Sequence, residues 1–304
     1  MSKVLIAVDR SKSYRVYITI TTELVQEAAE IHHTTPLASA ALGRVLTAAG
    51  LMGLMLKNPE DKLTVNFKGD GPARQILATA YGDGRVKGYI ADPGIELPLR
   101  EDGKLDVGGA LGTGDLTVIK DMGMKEPYVG KIALVSGEIA DDLTAYFFVS
   151  EQQNTSVALG VKIERDLSIG AAGGMIIQML PEAQPAAVDA LEKMIEGMEP
   201  LTTTISRVME RSSGALQIGA VRKLLEEIFR QVPQEYTPEI LEERKIDWSC
   251  GCSHERLRQV LMTIGREDME EIIREDGQAE LQCQFCRNRY RFDKRELEKI
   301  LESM

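Results

Sequence analysis

Val4-Leu5-Ile6-Ala7-Val8 and Tyr14 to Ile20 are apolar runs of strand length separated by the polar turn Ser11-Lys12-Ser13, which predicts a hairpin. The period then changes. Thr22 to His33 has helical spacing, and Thr35-Pro36 sets a capping hydroxyl before a proline at the first position of a helix over Leu37 to Leu56. Alternation returns in Leu63-Thr64-Val65-Asn66-Phe67, Gln75 to Tyr81 and Arg85 to Ile90, with turns at Asp70-Gly71-Pro72 and Gly82-Asp83-Gly84. Further strands are predicted at Leu116 to Lys120, Tyr128 to Leu134, Ala145 to Val149, Ser156 to Ile163 and Ser168 to Leu180.

The pattern turns helical at Pro181 and stays so to Pro238, with Val188, Leu191, Ile195 and Met198 on one stripe and Val221, Leu224, Leu225 and Ile228 on another. Such helices are marginal in water alone and must dock, either permanently or in a way that can be undone. From Lys245 the prediction is a helix over Glu255 to Ile264 behind Ser253, a second over Arg266 to Glu275, then strand, knuckle and strand over Gln278 to Phe292. Asp293 caps a last helix through Leu301. The expected class is α+β: an antiparallel-sheet domain with inserted helices over 1–181, a helical linker over 182–238, and a small C-terminal domain over 239–304.

Composition narrows the function. With 43% apolar residues the chain can bury a substantial core. A formal net charge of -11 opposes binding to nucleic acid through phosphate neutralisation. The segment Leu37 to Leu56 approaches membrane length but carries Arg44, so it reads as a buried helix. The opening residues run into Asp9 and Arg10 without an export signal, and no cysteine precedes Cys250; a reducing, cytoplasmic setting is expected.

All 4 cysteines lie in two close pairs, Cys250-x-Cys252 and Cys283-x-x-Cys286. Four thiolates so spaced can surround one tetrahedral zinc ion per chain with no position left open. His254 could replace one sulfur, but the shell is complete without it. Arg256, Arg258, Arg287, Arg289 and Arg291 would offset the net negative charge of such a site, or form a plain solvated face. A segment this small has little core, and structural zinc supplies ~10–16 kcal/mol against a usual domain stability of ~5–15. The same sulfurs are the atoms an oxidant attacks, and a sulfur in a disulfide is no longer a thiolate ligand, so the site can serve as a switch.

Other chemistry finds less support. Cys283-x-x-Cys286 lacks the βαβ setting of a thiol oxidoreductase. Gly108, Gly109, Gly112 and Gly114 have neither nucleotide-loop spacing nor a following helix, and read as turns. His32, His33 and His254 accompany no nucleophile motif, so no enzyme is expected. The main alternative is a zinc ribbon that binds RNA through the arginines near Cys286.

Trp248-Ser-Cys250-Gly-Cys252-Ser-His254-Glu-Arg256, Glu280-Leu-Gln-Cys283-Gln-Phe285-Cys286 and Tyr290-Arg-Phe292 resemble the heat-shock protein 33 family of redox-regulated holdase chaperones, also called the 33 kDa chaperonin. Tyr128-Val-Gly130-Lys-Ile-Ala-Leu134, Ser150-Glu151-Gln152-Gln153 and Gly112 to Asp121 extend the resemblance over essentially the whole chain. It implies a reduced, zinc-bound resting state held by Cys250, Cys252, Cys283 and Cys286. Oxidation would link Cys250 to Cys252 and Cys283 to Cys286, release zinc, and unfold the zinc domain and linker. The exposed surface would bind unfolding client proteins without ATP, typically as a homodimer; in the linker stripes themselves, Met194, Met198 and Met209 offer adaptable contacts suited to varied clients or simply fill the core. His254 stands where the family often has a basic residue, and the tail after Phe292 is longer than usual.

Overall fold

The computed structural model describes residues 2–211 and 217–304, so part of the linker segment, 212–216, lies outside the described residues. The chain divides into two compact units, Met1–Trp248 and Ser249–Met304.

The first unit opens with the hairpin of β1 (Ser2–Asp9) and β2 (Tyr14–Ile20), followed by α1 (Thr22–His32) and α2 (Pro36–Gly53). Next come β3 (Lys62–Gly69), β4 (Gln75–Tyr81), β5 (Arg85–Ile90), α3 (Val107–Leu111), β6 (Gly114–Asp121) and β7 (Tyr128–Ala133). The chain continues through α4 (Ala140–Ser150), β8 (Thr155–Ile163), β9 (Ile169–Met179), α5 (Pro185–Glu196), α6 (Leu201–Arg211), α7 (Gln217–Ile228) and β10 (Pro238–Trp248). The strands form one sheet of 10 in the order β7-β6-β3-β4-β5-β10-β1-β2-β9-β8. Every pairing is antiparallel except a short parallel contact in which Asp247 and Trp248 of β10 meet Arg85 and Val86 of β5. Strand β10 is therefore the joint between two antiparallel halves. Gly84 makes that joint possible: it takes φ 94°, and a Cβ there would lie 1.9 Å from the Lys245 carbonyl.

Period-2 alternation sorts the core into two layers. Val4 and Ile6 join Leu63, Val65, Phe67 and Ile76 under α1 to α4, whereas Leu5, Ala7, Val16 and Ile18 face the other way. Helix α2 is buried along nearly its whole length, as expected of a core helix. No described helix is long and apolar enough to cross a membrane. The second layer is closed by α5, α6 and α7, whose stripes place Leu191, Met194, Leu201, Ile205, Val221, Leu224, Leu225 and Ile228 on the sheet. Polar ties reinforce this docking. The Tyr14 hydroxyl donates to the Tyr236 carbonyl, the Gln184 N–H donates to Ser13 Oγ at 3.0 Å, and Arg207 pairs with Glu199 and, at 3.3 Å, with Glu227.

Two readings of the sequence need correction. Ala145 to Val149 is not a strand but the end of α4: Leu143, Tyr146 and Phe147 point inward at helical spacing, with Asp141 and Asp142 in the first turn. Residues 239–248, assigned from sequence to the zinc domain, form β10 and belong to the large sheet. They were hard to see because Glu239, Glu242, Glu243, Arg244 and Lys245 dilute the apolar signal.

The second unit holds α8 (His254–Leu261), α9 (Arg266–Glu275), the hairpin of β11 (Gln278–Gln282) and β12 (Arg289–Asp293), and α10 (Lys294–Ser303). Its apolar centre is small: Leu261, Met269, Phe292, Leu297 and Ile300. Asp293 starts α10 with a complete capping box to Glu296, and Leu297 and Ile300 give the chain's tail a place in this core.

Candidate metal centre

Cys250 and Cys252 flank the exposed Gly251 just ahead of α8, whose start is fixed by Ser253 accepting the Arg256 N–H at 3.2 Å. The other two cysteines occupy the turn between β11 and β12. There the Cys283 N–H donates to the Asn288 carbonyl at 2.9 Å, and the Arg287 N–H donates back to the Cys283 carbonyl at 2.9 Å, with Arg287 at φ 59°. This knuckle points both sulfurs to one side.

The four Sγ atoms lie within 4.8 Å of one another. Cys250 Sγ is 3.6 Å from Cys283 Sγ, and Cys252 Sγ is 3.2 Å from Cys286 Sγ. A tetrahedral ion with metal–sulfur bonds of ~2.3 Å needs sulfur–sulfur edges of ~3.8 Å, so the cluster fits that shell with small adjustments. None of the four is in a disulfide, and contacts of 3.6 and 3.2 Å join one sequence pair to the other, as a site shared by both pairs requires.

Electrostatics favours a cation here. Burial is the largest influence on every sulfur whose acidity departs from normal, and it pushes the Cys250 and Cys286 thiols up. At Cys252 burial also pushes upward, but hydrogen bonds from the Tyr290 hydroxyl and then from the Cys286, Cys250 and Cys283 thiols outweigh it and bring the group down to about 7. The proton of Tyr290 is held in return, up to about 12, mainly by its hydrogen bond to Cys252. Four sulfurs so close cannot all be anionic without a positive partner, and a divalent metal supplies that charge.

The predicted ligands are thus together. His254 is not among them: its ring packs on Phe292 with centroids 4.2 Å apart, and Nε2 is 3.2 Å from the Arg291 carbonyl and 3.6 Å from Glu296. Three of the five arginines are ion-paired, Arg289 and Arg291 to Glu280 at 3.3 and 2.7 Å and Arg258 to Glu255 at 3.6 Å. That pairing weakens the case for an RNA-binding face. Tyr290 contributes a hydroxyl 3.1 Å from Cys252 Sγ, a role the sequence pattern did not reveal. The available signal was its position two residues before the core residue Phe292, on the same face of β12.

A ten-stranded α+β body with docked helices, followed by a small module whose four cysteines lie close enough to hold a metal, defines a two-unit protein with a clustered-thiol site. The family model described as Hsp33 protein matches residues 2–293. Among curated proteins, the 33 kDa chaperonin of Alkaliphilus oremlandii is 45% identical over 291 residues, covering 95% of this chain and 93% of the relative. That of Clostridium tetani is 43% identical over 303 residues, covering 99% and 98%. The crystal structure of the 33 kDa chaperonin (heat shock protein 33 homolog) of Thermotoga maritima superposes with a TM-score of 0.85 at 32% identity, covering 99% of this chain and 98% of that one. The chain belongs to the Hsp33 family. The family model ends at 293, so α10 lies beyond it, whereas the match to the Clostridium tetani relative takes in nearly all of the present chain.

Proposed function

We propose that this protein is a redox-regulated, ATP-independent holdase, a chaperone that binds unfolding proteins and carries out no catalytic reaction on them. Cys250, Cys252, Cys283 and Cys286 hold one zinc ion per chain in the reduced state. The observation that carries this reading is the single cluster in which each cysteine pair meets the other across 3.2–3.6 Å, in a unit whose apolar core is too small to be self-sufficient. Zinc, when bound, supplies a cross-link between the start of α8 and the β11–β12 knuckle.

Activation is the removal of that cross-link by sulfur chemistry. A thiolate attacks one oxygen of a peroxide, the O–O bond breaks, and hydroxide leaves and is protonated to water. The sulfenic acid so formed is attacked by the neighbouring thiolate, giving a disulfide and a second water. The pairs formed are Cys250–Cys252 and Cys283–Cys286, each made within one segment, so neither replaces the lost link between segments. Residues 249–304 then unfold, and the linker of residues 182–238 is released from the sheet. Undocking uncovers Leu191, Met194, Leu201, Ile205, Leu224 and Ile228, together with the sheet face they cover. A mobile apolar surface of this kind suits varied clients. We place the protein in the cytoplasm, active as a homodimer.

The test is light scattering of a heat-denaturing client in the presence of reduced or peroxide-treated protein. Suppression by the oxidised form alone supports the switch; equal suppression by both forms contradicts it.

A further inference from the structure

One sulfur of the cluster, that of Cys252, has a side-chain hydrogen-bond partner from outside it. The donor to Cys252 is a side chain, the hydroxyl of Tyr290 at 3.1 Å. Its ring is held on both sides. Tyr290 pairs with Leu281 across the β11–β12 hairpin, and Phe292, two residues along the same strand face, is 1% exposed and anchors the strand in the small core. The His254 ring, packed on Phe292, lies with its centroid 6.4 Å from that of Tyr290. Because β12 fixes the ring, the hydroxyl is aimed at one sulfur, which is the property expected of an outer-shell partner of a metal ligand.

Building on the zinc reading, we infer that Tyr290 is a positioning residue for the redox chemistry: its hydroxyl donates to the Cys252 thiolate and restrains that sulfur's attack on electrophiles. A thiolate reacts through the lone-pair density that a hydrogen bond occupies. When Cys252 attacks a peroxide, its sulfur is oxidised to the sulfenic acid, the peroxide O–O bond breaks, and the departing hydroxide is protonated to water. The hydroxyl's interaction with the sulfur weakens as that negative charge is lost, so the hydrogen bond stabilises the resting thiolate more than the transition state. Tyr290 thus raises the threshold for oxidation at Cys252 without being consumed, and Phe, which keeps the ring and removes only the donor, isolates the effect.

The experiment uses full-length, zinc-loaded wild type and Tyr290→Phe. Each is treated with iodoacetamide under reducing conditions, and modification of each cysteine is followed by mass spectrometry. The expected result is a rate at Cys252 about 3- to 10-fold higher in the variant, as when a charge-assisted hydrogen bond is lost and only part of it is felt in the rate. The rate at Cys283 should change by less than about twofold, because the Tyr290 hydroxyl hydrogen-bonds Cys252 and not Cys283. An unchanged Cys252 rate overturns the proposal, as does an equal rise at all four sulfurs, which would mark a merely structural role. A second measurement needs no variant: in wild type loaded with cadmium-113, the Tyr290 hydroxyl proton should be protected from exchange and show scalar coupling to the metal through Cys252. Its absence also contradicts the proposal. Wild type that retains no metal when reduced would instead overturn the zinc reading, and this inference with it.

Discussion

At the scale of single residues, the account rests on sulfurs that are useful because they are crowded. Cys286 has Cys252 as a sulfur neighbour at 3.2 Å, and burial favours the protonated form of its thiol unless a cation is present. Replacing Cys286→Ser should therefore weaken zinc binding by at least about 100-fold, measured by chelator competition, because a three-sulfur shell loses both a bond and the closure of the site. Proton linkage gives a second expectation. Binding requires four thiolates, so the protons on Cys250 and Cys286, whose thiols lie above the ordinary range, must leave as the metal enters. Affinity thus rises with pH and falls as pH drops; between pH 8 and pH 7 the apparent constant should weaken by at least about tenfold. A flat profile would mean that the sulfurs are not the ligands. The four cysteines were legible in the sequence because ligand spacing is a local property. Tyr290 was not, because its importance comes from the tertiary contact of its hydroxyl with Cys252, 38 residues away, and its place two residues before Phe292 marks only the inward face of β12.

At the scale of elements, α5, α6 and α7 are the parts that the proposed switch would release. They close the second core layer through side chains such as Leu224, which is 0% exposed, and Ile205, also 0% exposed. Leu224→Ala should cost ~2–5 kcal/mol of docking, the usual range for a large-to-small change in a packed core. Hydrogen exchange across α5 to α7 should accelerate by one or more orders of magnitude while zinc content stays at about one equivalent, since the variant leaves every ligand in place. The reduced variant should also suppress client aggregation above the wild-type level. No gain in suppression despite faster exchange would separate linker release from client binding. The apolar stripes of these helices were readable from their period, and so was the strand-helix-strand order of the large unit. What misled was short range: Ala145 to Val149 is apolar enough for a strand, and only the inward set Leu143, Tyr146 and Phe147 betrays α4. Strand β10 escaped for the opposite reason, since its outward charges dominate and Ile246 finds its buried place only against α2, where Gly50 leaves room.

At the scale of the whole molecule, stability is distributed unevenly. The unit of residues 1–248 has two core layers built on one ten-stranded sheet, whereas residues 249–304 depend on a core of Leu261, Met269, Phe292, Leu297 and Ile300 and on the cysteine cluster. A metal contributing ~10–16 kcal/mol to so small a unit would decide whether it is folded. The net charge of -11 would help keep an opened, apolar-faced chain in solution. The division of labour was visible in the sequence from the confinement of every cysteine to the end of the chain; the exact border was not, because β10 belongs by sequence to the neighbourhood of Cys250 and by pairing to β1 and β5. The most direct test removes the metal without oxidation: strip zinc with a chelator under full reduction and follow hydrogen exchange residue by residue. The account predicts that amides in 249–304 lose protection together while those of β1 and β2 keep theirs, and protection returns when zinc is restored. A metal-free, reduced protein in which α8 to α10 remain protected would contradict it.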